Sequence, residues 1–486
     1  MTASFLGVDL GTSGLKLTLV AEDGLVVGEA EASYAVQTPQ PGFAETDPGV
    51  WMDALRDAAT RLSGGPGDPF SGTEVQAIGF TGQMHGVVLT GEDGTAVRPA
   101  LLWPDQRATS VLPEWFGLTD EDRAGLGNPI FAGMAGPMLT WLRRNEPDDL
   151  GSAALVRSPK DWLRAQLTGD RVTERSDASA TLLWDVTADD WSTAAAGVAG
   201  VRDDQLPDVV DSDAVVGKAP WPPGPGGDDQ ALPTVTVVAG GADTACALSA
   251  LRASGLATTW SDTVVVNVGT GVQIVRPEVT PTPRETPVTH LYADADGGWY
   301  EMLAVQNGGL ALTWCQDVLG LDWHSFVDAA ATAPAGSEGV AFVPFLTGER
   351  GGLAGPASRA GWLGASPSTG RPELARSAFE ALAFTIRRGL ELLGVGDTAH
   401  VVVSGGGARE PWVRQLIADA LGRPLSYVSL RSASGVGAAV LAARAVGVGL
   451  SVTAEVVQVP ASPSSALDYA YERWLRAVQA MAVCTG

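Results

Sequence analysis

The stretch FLGVDLGTSGLKLTLV, residues 5–20, places two apolar runs on either side of the turn Gly11-Thr12-Ser13-Gly14. Short apolar runs around a glycine-bearing turn predict a β-hairpin. In the second run leucines alternate with Lys16 and Thr18, which predicts one buried face and one open face. The stretch TVVVNVGTGVQIV, residues 263–275, has the same design in the second half of the chain. This internal repeat predicts two related α/β domains that face each other across a cleft.

The length of the chain also favours two domains. Its 486 residues are too many for one compact core, and 45% apolar with 18% charged residues suit buried cores rather than disorder. Prolines and glycines are concentrated between Gly217 and Pro233, which predicts a linker. We therefore expect an N-terminal domain over residues 1–234 and a C-terminal domain over residues 235–486.

Charge and cysteine content exclude several classes of function. A formal charge of -25 repels polyanions, so nucleic-acid binding is disfavoured. The sequence contains no run of about 18 apolar residues, so it predicts no membrane span, and its first ten residues do not have the pattern of a secretory signal. Cys246, Cys315 and Cys484 are odd in number and widely spaced, which favours a reducing cytoplasm. The oligomeric state stays open, with a homodimer among the options.

Asp9 is the acidic residue of the first hairpin, two positions before Gly11, and Asn267 takes its place in the second hairpin. A carboxylate beside amides that bind phosphate would repel the phosphate unless Mg²⁺ lay between them, so Asp9 is a candidate metal ligand. The alternative is an aspartate that bonds the local backbone. Lys16 either adds charge near the phosphates or is a solvated strand lysine. Neither a P-loop motif nor a dinucleotide-binding motif is present.

Asp243 follows an apolar run over residues 234–239 and two glycines. At the carboxyl end of a strand in an α/β domain, side chains reach the cleft. There an aspartate within about 3 Å of a hydroxyl could act as general base. Because phosphoryl transfer depends mostly on positioning and charge neutralisation, one base and one metal site are chemically sufficient. The alternative is an aspartate that caps the following helix.

Three further segments carry polar or glycine residues on loops, where binding residues are common. Gln83, Met84 and His85 lie between two predicted strands and could hold a sugar, with His85 on its hydroxyls and Met84 on its carbon chain. The alternative is a histidine whose hydrogen bonds are satisfied within the loop. Asp105 and Arg107 form either a surface ion pair or part of a substrate pocket. Gly405, Gly406, Gly407 and Ala408 follow a strand, and glycine there lets the backbone approach a flat ring such as adenine, or simply makes a turn.

Taken together, these segments resemble the FGGY carbohydrate kinases nearly end to end. The resemblance rests on the order and spacing of motifs that begin with Asp9-Leu-Gly-Thr-Ser-Gly-Leu-Lys16 and Gly82-Gln-Met-His-Gly86. It continues through Leu102-Trp103 with Asp105-Gln-Arg107, Pro159-Lys-Asp-Trp-Leu163, Ser176-Asp-Ala178, Gly240-Gly-Ala-Asp243, Gly348-Glu-Arg350 and Gly405-Gly-Gly-Ala408.

The resemblance implies two domains of the actin/hexokinase (ribonuclease H-like) type that flank a cleft for ATP and sugar. It implies that the N-terminal domain binds the sugar, that the C-terminal domain binds ATP, and that Mg²⁺ is a cofactor. Asp243 would be the catalytic base, and Gln83, Met84, His85 and Asp105 would contact the sugar with it. The implied ATP-binding residues are Gly11, Thr12, Ser13, Lys16, Gly269, Thr270, Gly309, Gly405, Gly406, Gly407 and Ala408.

Within the family, the Met-His loop favours a ketopentose, D-xylulose above all. Another ketose or polyol, such as ribulose, and a degenerate relative that binds ligand without catalysis are the alternatives. Glycerol is disfavoured because glycerol kinases carry Asn-Gln-Arg-Glu where this chain has Gly82 to His85. The chain departs from the family pattern at Pro104, Met138, Thr244, Gly271 and the stretch 351–353, and these differences bear on the sugar more than on phosphoryl transfer.

Overall fold

The computed structural model describes residues 2–63, 73–222, 233–349, 352–355 and 357–485. Within these ranges, the strands are β1 (Thr2–Leu10), β2 (Gly14–Ala21), β3 (Val26–Ser33), β4 (Glu45–Thr46), β5 (Thr73–Gly82), β6 (Val88–Thr90), β7 (Ala100–Leu101), β8 (Leu155–Arg157), β9 (Val172–Glu174), β10 (Trp184–Asp185), β11 (Asp190–Trp191), β12 (Asp208–Val210), β13 (Val215–Pro220), β14 (Thr234–Val238), β15 (Gly241–Ala242), β16 (Thr263–Val268), β17 (Val272–Arg276), β18 (His290–Ala293), β19 (Trp299–Val305), β20 (Ala341–Val343), β21 (Gly361–Leu363), β22 (His400–Ser404), β23 (Leu425–Ser429) and β24 (Glu455–Val459).

Helices cover both sheets and fill the space between them. They are α1 (Gly49–Ser63), α2 (Leu112–Phe116), α3 (Asp120–Gly125), α4 (Ala135–Asn145), α5 (Pro147–Ser152), α6 (Pro159–Thr168), α7 (Arg175–Ser179), α8 (Thr193–Ala199), α9 (Asp243–Ala253), α10 (Gly309–Leu319), α11 (Trp323–Thr332), α12 (Arg371–Leu392), α13 (Pro411–Leu421), α14 (Ala433–Ala445) and α15 (Ser465–Thr485).

The two predicted hairpins each form the centre of a mixed sheet. In the first sheet the strand order is β3-β2-β1-β5-β14-β13, and in the second it is β18-β19-β17-β16-β22-β23-β24. In each sheet an antiparallel hairpin is followed by two parallel neighbours and an antiparallel edge strand. The repeat inferred from the sequence is therefore confirmed at the level of topology, and each half of the chain builds one lobe.

The first hairpin is more deeply buried than its alternation predicts. Leu15, Leu17 and Leu19 are fully buried on one face, as expected. Thr18, on the face expected to be open, is also fully buried, and the prediction for that residue is wrong. A Cβ built on Gly435 would lie 2.7 Å from the Thr18 hydroxyl, which shows that α14 covers this face.

Helices α9 and α14 are the central pair that joins the lobes. Helix α14 packs on β1, on β5 and along α9. The approach is so close that a Cβ on Gly437 would lie 1.7 Å from the carbonyl oxygen of Cys246, and one on Gly7 would lie 1.8 Å from that of Gly435. Glycine and alanine therefore dominate α14 because larger side chains would separate the helices and the sheet.

The first sheet continues past the predicted domain boundary between residues 234 and 235. Strand β14 begins at Thr234 and pairs with both β5 and β13 in the first sheet. Part of the predicted linker, residues 217–220, belongs to β13, so the linker prediction is wrong there because these residues form the outer hairpin of the sheet. Residues 223–232 of that linker, Arg350 of the Gly348-Glu-Arg350 motif and Gly351 of the departure at 351–353 lie outside the described residues.

The segment after Leu450, which the sequence left uninterpreted, forms β24 and α15. Strand β24 completes the second sheet beside β23. Helix α15 buries Leu467, Ala470, Tyr471 and Trp474, and the Trp474 indole N–H donates to the carbonyl of Phe342 at 2.9 Å. Their three- and four-residue spacing is a helical signal that was present in the sequence.

Candidate active site

Asp9 lies at the end of β1, opposite Lys16 in the first hairpin. The amide of Gly11 bonds the carbonyl of Gly14 at 2.9 Å and closes the predicted turn. Burial raises the pKa of Asp9 to about 7, and the negative charge of Asp243 adds to that rise, while Lys16 opposes it. Burial and a second carboxylate both favour the neutral form of Asp9, and a bound cation would favour its ionised form.

Asp243 is the first residue of α9 and follows β15 directly. It is not the capping residue of the helix, since Ala242 holds that position. Its Oδ1 accepts the backbone N–H of Thr244 at 2.6 Å and the Thr244 hydroxyl at 3.2 Å. Burial raises the pKa of Asp243, and the two bonds from Thr244 oppose that rise. Asp9 on β1 and Gly241 on β15 both lie opposite Thr81 of β5, so Asp9 and Asp243 lie at the same end of the first sheet, where the charge of Asp243 acts on Asp9.

The loop with the predicted sugar residues starts beside the phosphate-type turn. The backbone N–H of Gln83 donates to the carbonyl of Leu10 at 2.9 Å, and its side-chain Nε2 donates to that of Gly11 at 3.2 Å. The Gln83 Oε1 is buried without a hydrogen-bond partner. Met84 is buried, and His85 has a φ of 70° in the left-handed region, with its Nδ1 2.6 Å from the carbonyl oxygen of Ala180.

An aromatic cluster that the sequence analysis missed lies against His85. The His85 ring is 5.7 Å from Phe131 in the first lobe and 5.9 Å from Tyr292 in the second. Tyr292 stacks on His290, and its hydroxyl is 2.8 Å from His290 Nδ1. Both lobes therefore supply rings to the pocket around His85. No spacing in the sequence relates residues so far apart along the chain.

Tyr300 connects this aromatic cluster to the region of Asp243. Its ring is 5.8 Å from that of Tyr292. Burial raises the pKa of Tyr300, and the charges of Tyr292 and Asp243 add to the rise. The Tyr300 hydroxyl is fully buried and has no hydrogen-bond partner. A set of rings thus runs from the predicted sugar loop through Tyr292 to Tyr300.

Asp105 lies in a buried network of hydrogen bonds and not in an open pocket. It is fully buried and accepts the N–H of Ala44 at 2.7 Å and that of Arg107 at 2.8 Å. The Arg107 guanidinium binds both carboxylate oxygens of Asp105 and also Glu45. The prediction of a surface ion pair between Asp105 and Arg107 is therefore wrong, because both residues are buried. Because this network occupies the carboxylate, the contact of Asp105 with sugar stays a prediction that its surroundings do not favour.

The glycines predicted to bind ATP in the second lobe meet in one place. Gly309 N–H donates to the carbonyl of Gly269 at 2.9 Å, and Leu310 N–H donates to that of Thr270 at 2.9 Å. Gly405 has a φ of 94°, and a Cβ there would lie 2.4 Å from the carbonyl oxygen of Val268. The segments 269–270, 309–310 and 405–408 lie up to 139 positions apart in the sequence. Their backbones nevertheless form one surface at the ends of β16 and β22.

Two aromatic residues that the site prediction did not include hold the first turn. The Tyr34 hydroxyl donates to the carbonyl of Gly11, and the Trp103 indole N–H donates to Thr12 Oγ1 at 2.9 Å. Burial raises the pKa of Tyr34, with a smaller contribution from Asp9, so it stays a donor at neutral pH. Trp103 belongs to a family motif but was not predicted to contact the turn, and no sequence pattern marked Tyr34 as a site residue.

The carboxylates suit a metal only if the metal arrives with other ligands. Within the described ranges, no group of three or more His, Cys, Asp or Glu side chains is placed to hold an ion. Mg²⁺ accepts a site with one or two carboxylates when phosphate oxygens and water supply the rest. The pair Asp9 and Asp243 fits a cation bound together with a nucleotide.

Two copies of one α/β unit around a cleft, each with a glycine turn on its central hairpin, define a two-lobed fold of the actin and hexokinase type. The model for the N-terminal domain of the FGGY family of carbohydrate kinases matches residues 4–249, and the model for the C-terminal domain matches residues 264–446. The chain belongs to the FGGY family of carbohydrate kinases.

Comparison with individual proteins supports the same family. Xylulose kinase of Escherichia coli (strain K12) is 31% identical over 475 residues, which cover 95% of this chain and 91% of that protein. The crystal structure of a xylulose kinase from Brucella ovis superposes with a TM-score of 0.88 at 28% identity and covers 99% of this chain and 100% of that one. A gluconate kinase from Lactobacillus acidophilus shares the fold, with a TM-score of 0.87 at 22% identity over 100% and 99% of the two chains. No helix in the described part of the chain is long and apolar enough to cross a bilayer.

Proposed function

We propose that the protein transfers the γ-phosphoryl group of ATP to D-xylulose and forms D-xylulose 5-phosphate. The observation that carries the proposal is the position of Asp243, which begins α9 at the same end of the first sheet as Asp9 and the loop of Gln83, Met84 and His85. The names of relatives at up to 31% identity support xylulose as the acceptor. The first lobe would bind the sugar, and the backbone surface at Gly269, Gly309 and Gly405 would bind ATP.

In the proposed reaction Asp243 accepts the proton of the attacking hydroxyl as the new oxygen–phosphorus bond forms and the bond to ADP breaks. Phosphoryl transfer needs alignment of the two oxygens and stabilisation of charge more than covalent help from the protein. Thr12 and Ser13 would offer amides and hydroxyls to the phosphates from one side and Thr270 from the other, while the amides of Gly11 and Gly269 close the two turns. Mg²⁺, held by Asp9 and the phosphates, would offset their negative charge. Closure of the cleft would exclude water as a competing acceptor.

The acceptor is tested by a coupled ADP-release assay with a panel of D-xylulose, D-ribulose, L-ribulose, glycerol and gluconate. We expect the highest kcat/KM with D-xylulose and the lowest with glycerol. Met84 is buried, and Thr244 replaces a family asparagine next to the proposed base, so another ketose is the main alternative. A clear preference for another sugar would replace xylulose but keep the kinase. Binding of a sugar without ADP release would contradict the kinase itself.

The magnesium requirement is expected to depend on pH through Asp9. Because the pKa of Asp9 is about 7, the group is neutral below that pH and ionised above it. Only the ionised form attracts a cation, so the Mg²⁺ concentration for half-maximal activity is expected to rise by about tenfold per pH unit below 7. Magnesium titrations of kcat at pH 6, 7 and 8 measure this.

The Asp9→Asn variant is the control for that titration, because protonation of ATP affects both proteins equally. It is expected to need more Mg²⁺ at pH 8 and to show only the pH dependence that ATP itself contributes. Identical curves for the variant and the original protein at every pH would refute the metal role of Asp9.

We also propose a cytoplasmic location. Cys246 and Cys315 are free thiols inside the protein, as a reducing compartment permits, and the proposed substrate ATP is a cytoplasmic metabolite. A homodimer stays a prediction.

A further inference from the structure

A network of buried charges lies behind the cleft and takes no part in the proposed reaction. Lys160 Nζ lies 2.7 Å from Asp161 Oδ1, 3.1 Å from Asp177 Oδ2 and 3.4 Å from Glu174 Oε1. None of these four side chains is more than 3% exposed. Buried ion pairs contribute little net stability because desolvation offsets their attraction. The hydrogen bonds of this network instead hold neighbouring backbone in place.

One arm of the network leads to the residue before Asp243. Glu174 Oε2 accepts both the backbone N–H and the hydroxyl of Ser176, each at 2.7 Å. The Ser176 Oγ in turn accepts the backbone N–H of Ala242 at 2.8 Å. Ser176 is fully buried, so no water can replace it as the acceptor of that N–H.

A second arm fixes the other end of the same short segment. Arg164 Nη1 donates to Asp161 Oδ1 and to the carbonyl of Ala239 at 2.7 Å. Between Ala239 and Ala242, Gly240 has a φ of 83°, and a Cβ there would lie 1.8 Å from the carbonyl oxygen of Phe80. The backbone that leads into Asp243 is thus bonded at both ends and packed against β5.

We infer that Ser176, oriented by Glu174, is a positioning residue for Asp243. The inference rests on the proposed function, since it assigns Ser176 a role only if Asp243 is the base. A general base must reach its hydroxyl at about 2.6–3.2 Å, and a displacement of about 1 Å can cost about a hundredfold in rate. Ser176 controls that distance through the Ala242 N–H and does not itself touch the substrate.

The inference is tested by a double-mutant cycle of Ser176→Ala and Asp243→Asn. Ser176→Ala alone is expected to lower kcat by about 10- to 100-fold, with the Kd for Mg-ATP unchanged in isothermal titration calorimetry. In the Asp243→Asn background the same change is expected to have no further effect on the residual kcat, because the group that it positions is gone. Coupled residues show such non-additivity, whereas independent ones do not.

Ser377→Ala is the matched control for lost stability. Ser377 is 1% exposed, accepts the Trp362 indole N–H at 3.1 Å and donates to the carbonyl of Leu374, all within the second lobe. It is expected to lower the Tm about as much as Ser176→Ala does while kcat stays unchanged.

Three outcomes would overturn the role of Ser176. They are an unchanged kcat in Ser176→Ala, an equal loss in both backgrounds, and a loss that Ser377→Ala reproduces. The failure of the proposed function has a different signature, because the original protein would then release no ADP, and failure of the base alone would leave Asp243→Asn fully active whatever Ser176→Ala does.

Discussion

Replacement of Asp243 by asparagine is expected to lower kcat by about 10²- to 10⁴-fold, the contribution typical of a general base. The amide can still accept the N–H of Thr244, which Oδ1 accepts at 2.6 Å, so the start of α9 is expected to keep its structure. An amide, however, cannot take the proton of the sugar hydroxyl. Steady-state kinetics at saturating Mg-ATP and sugar measure the loss, and calorimetry is expected to show an unchanged or slightly tighter Kd for Mg-ATP, because a nearby negative charge has been removed.

The matched control is Asp322→Asn. Asp322 caps α11 from an exposed position in the second lobe and accepts the N–H of Ser325 at 2.8 Å. It removes one carboxylate beside a helix start, as Asp243→Asn does, and is expected to leave kcat unchanged. Full activity of Asp243→Asn would refute the base, and a loss confined to KM would assign Asp243 to binding alone.

The second large effect is expected on stability, from Gly437→Ala in the middle of α14. The added Cβ would lie 1.7 Å from the backbone oxygen of Cys246, and a backbone atom cannot move aside as a side chain can. Overpacking of a core costs about 1–3 kcal/mol and at times more, and we expect the upper end here, about 3 kcal/mol. Urea denaturation followed by circular dichroism measures the free energy of unfolding.

Gly197→Ala is the control for that change. Gly197 lies inside α8, and no atom lies within 4 Å of the position of its missing Cβ. Alanine is favoured over glycine in a helix by about 0.8–1.0 kcal/mol, so this variant is expected to be as stable as the original protein or more stable. Equal stability of Gly437→Ala and the original protein would contradict the contact between α9 and α14.

Local patterns predicted the parts of the fold whose cause lies within a few residues. The hairpins at Gly11 and Gly269 formed as expected because alternation and glycine turns act locally. The burial of Thr18 depends instead on Gly435, more than 400 positions away, and no periodicity contains that contact.

The candidate site divides in the same way. Asp9 and Asp243 could be proposed because each lies near the end of a strand beside glycines, and the structure brings both to the same end of the first sheet. The environment of Asp105 could not be predicted, because its four hydrogen bonds come from Ala44 and from the fold of the 105–107 turn. The rings of His290 and Tyr292 face His85 only after the second sheet has formed against the first lobe.

The position of α14 has a consequence for how the polypeptide can be divided. The helix comes from the last quarter of the chain, yet it covers Phe5, Val20 and Ala77 on the first sheet together with α9. A fragment that stopped near residue 253 would leave this apolar surface bare to solvent. We therefore expect that the amino-terminal half does not fold on its own. During synthesis, nearly the whole chain must be made before both faces of β1 are covered.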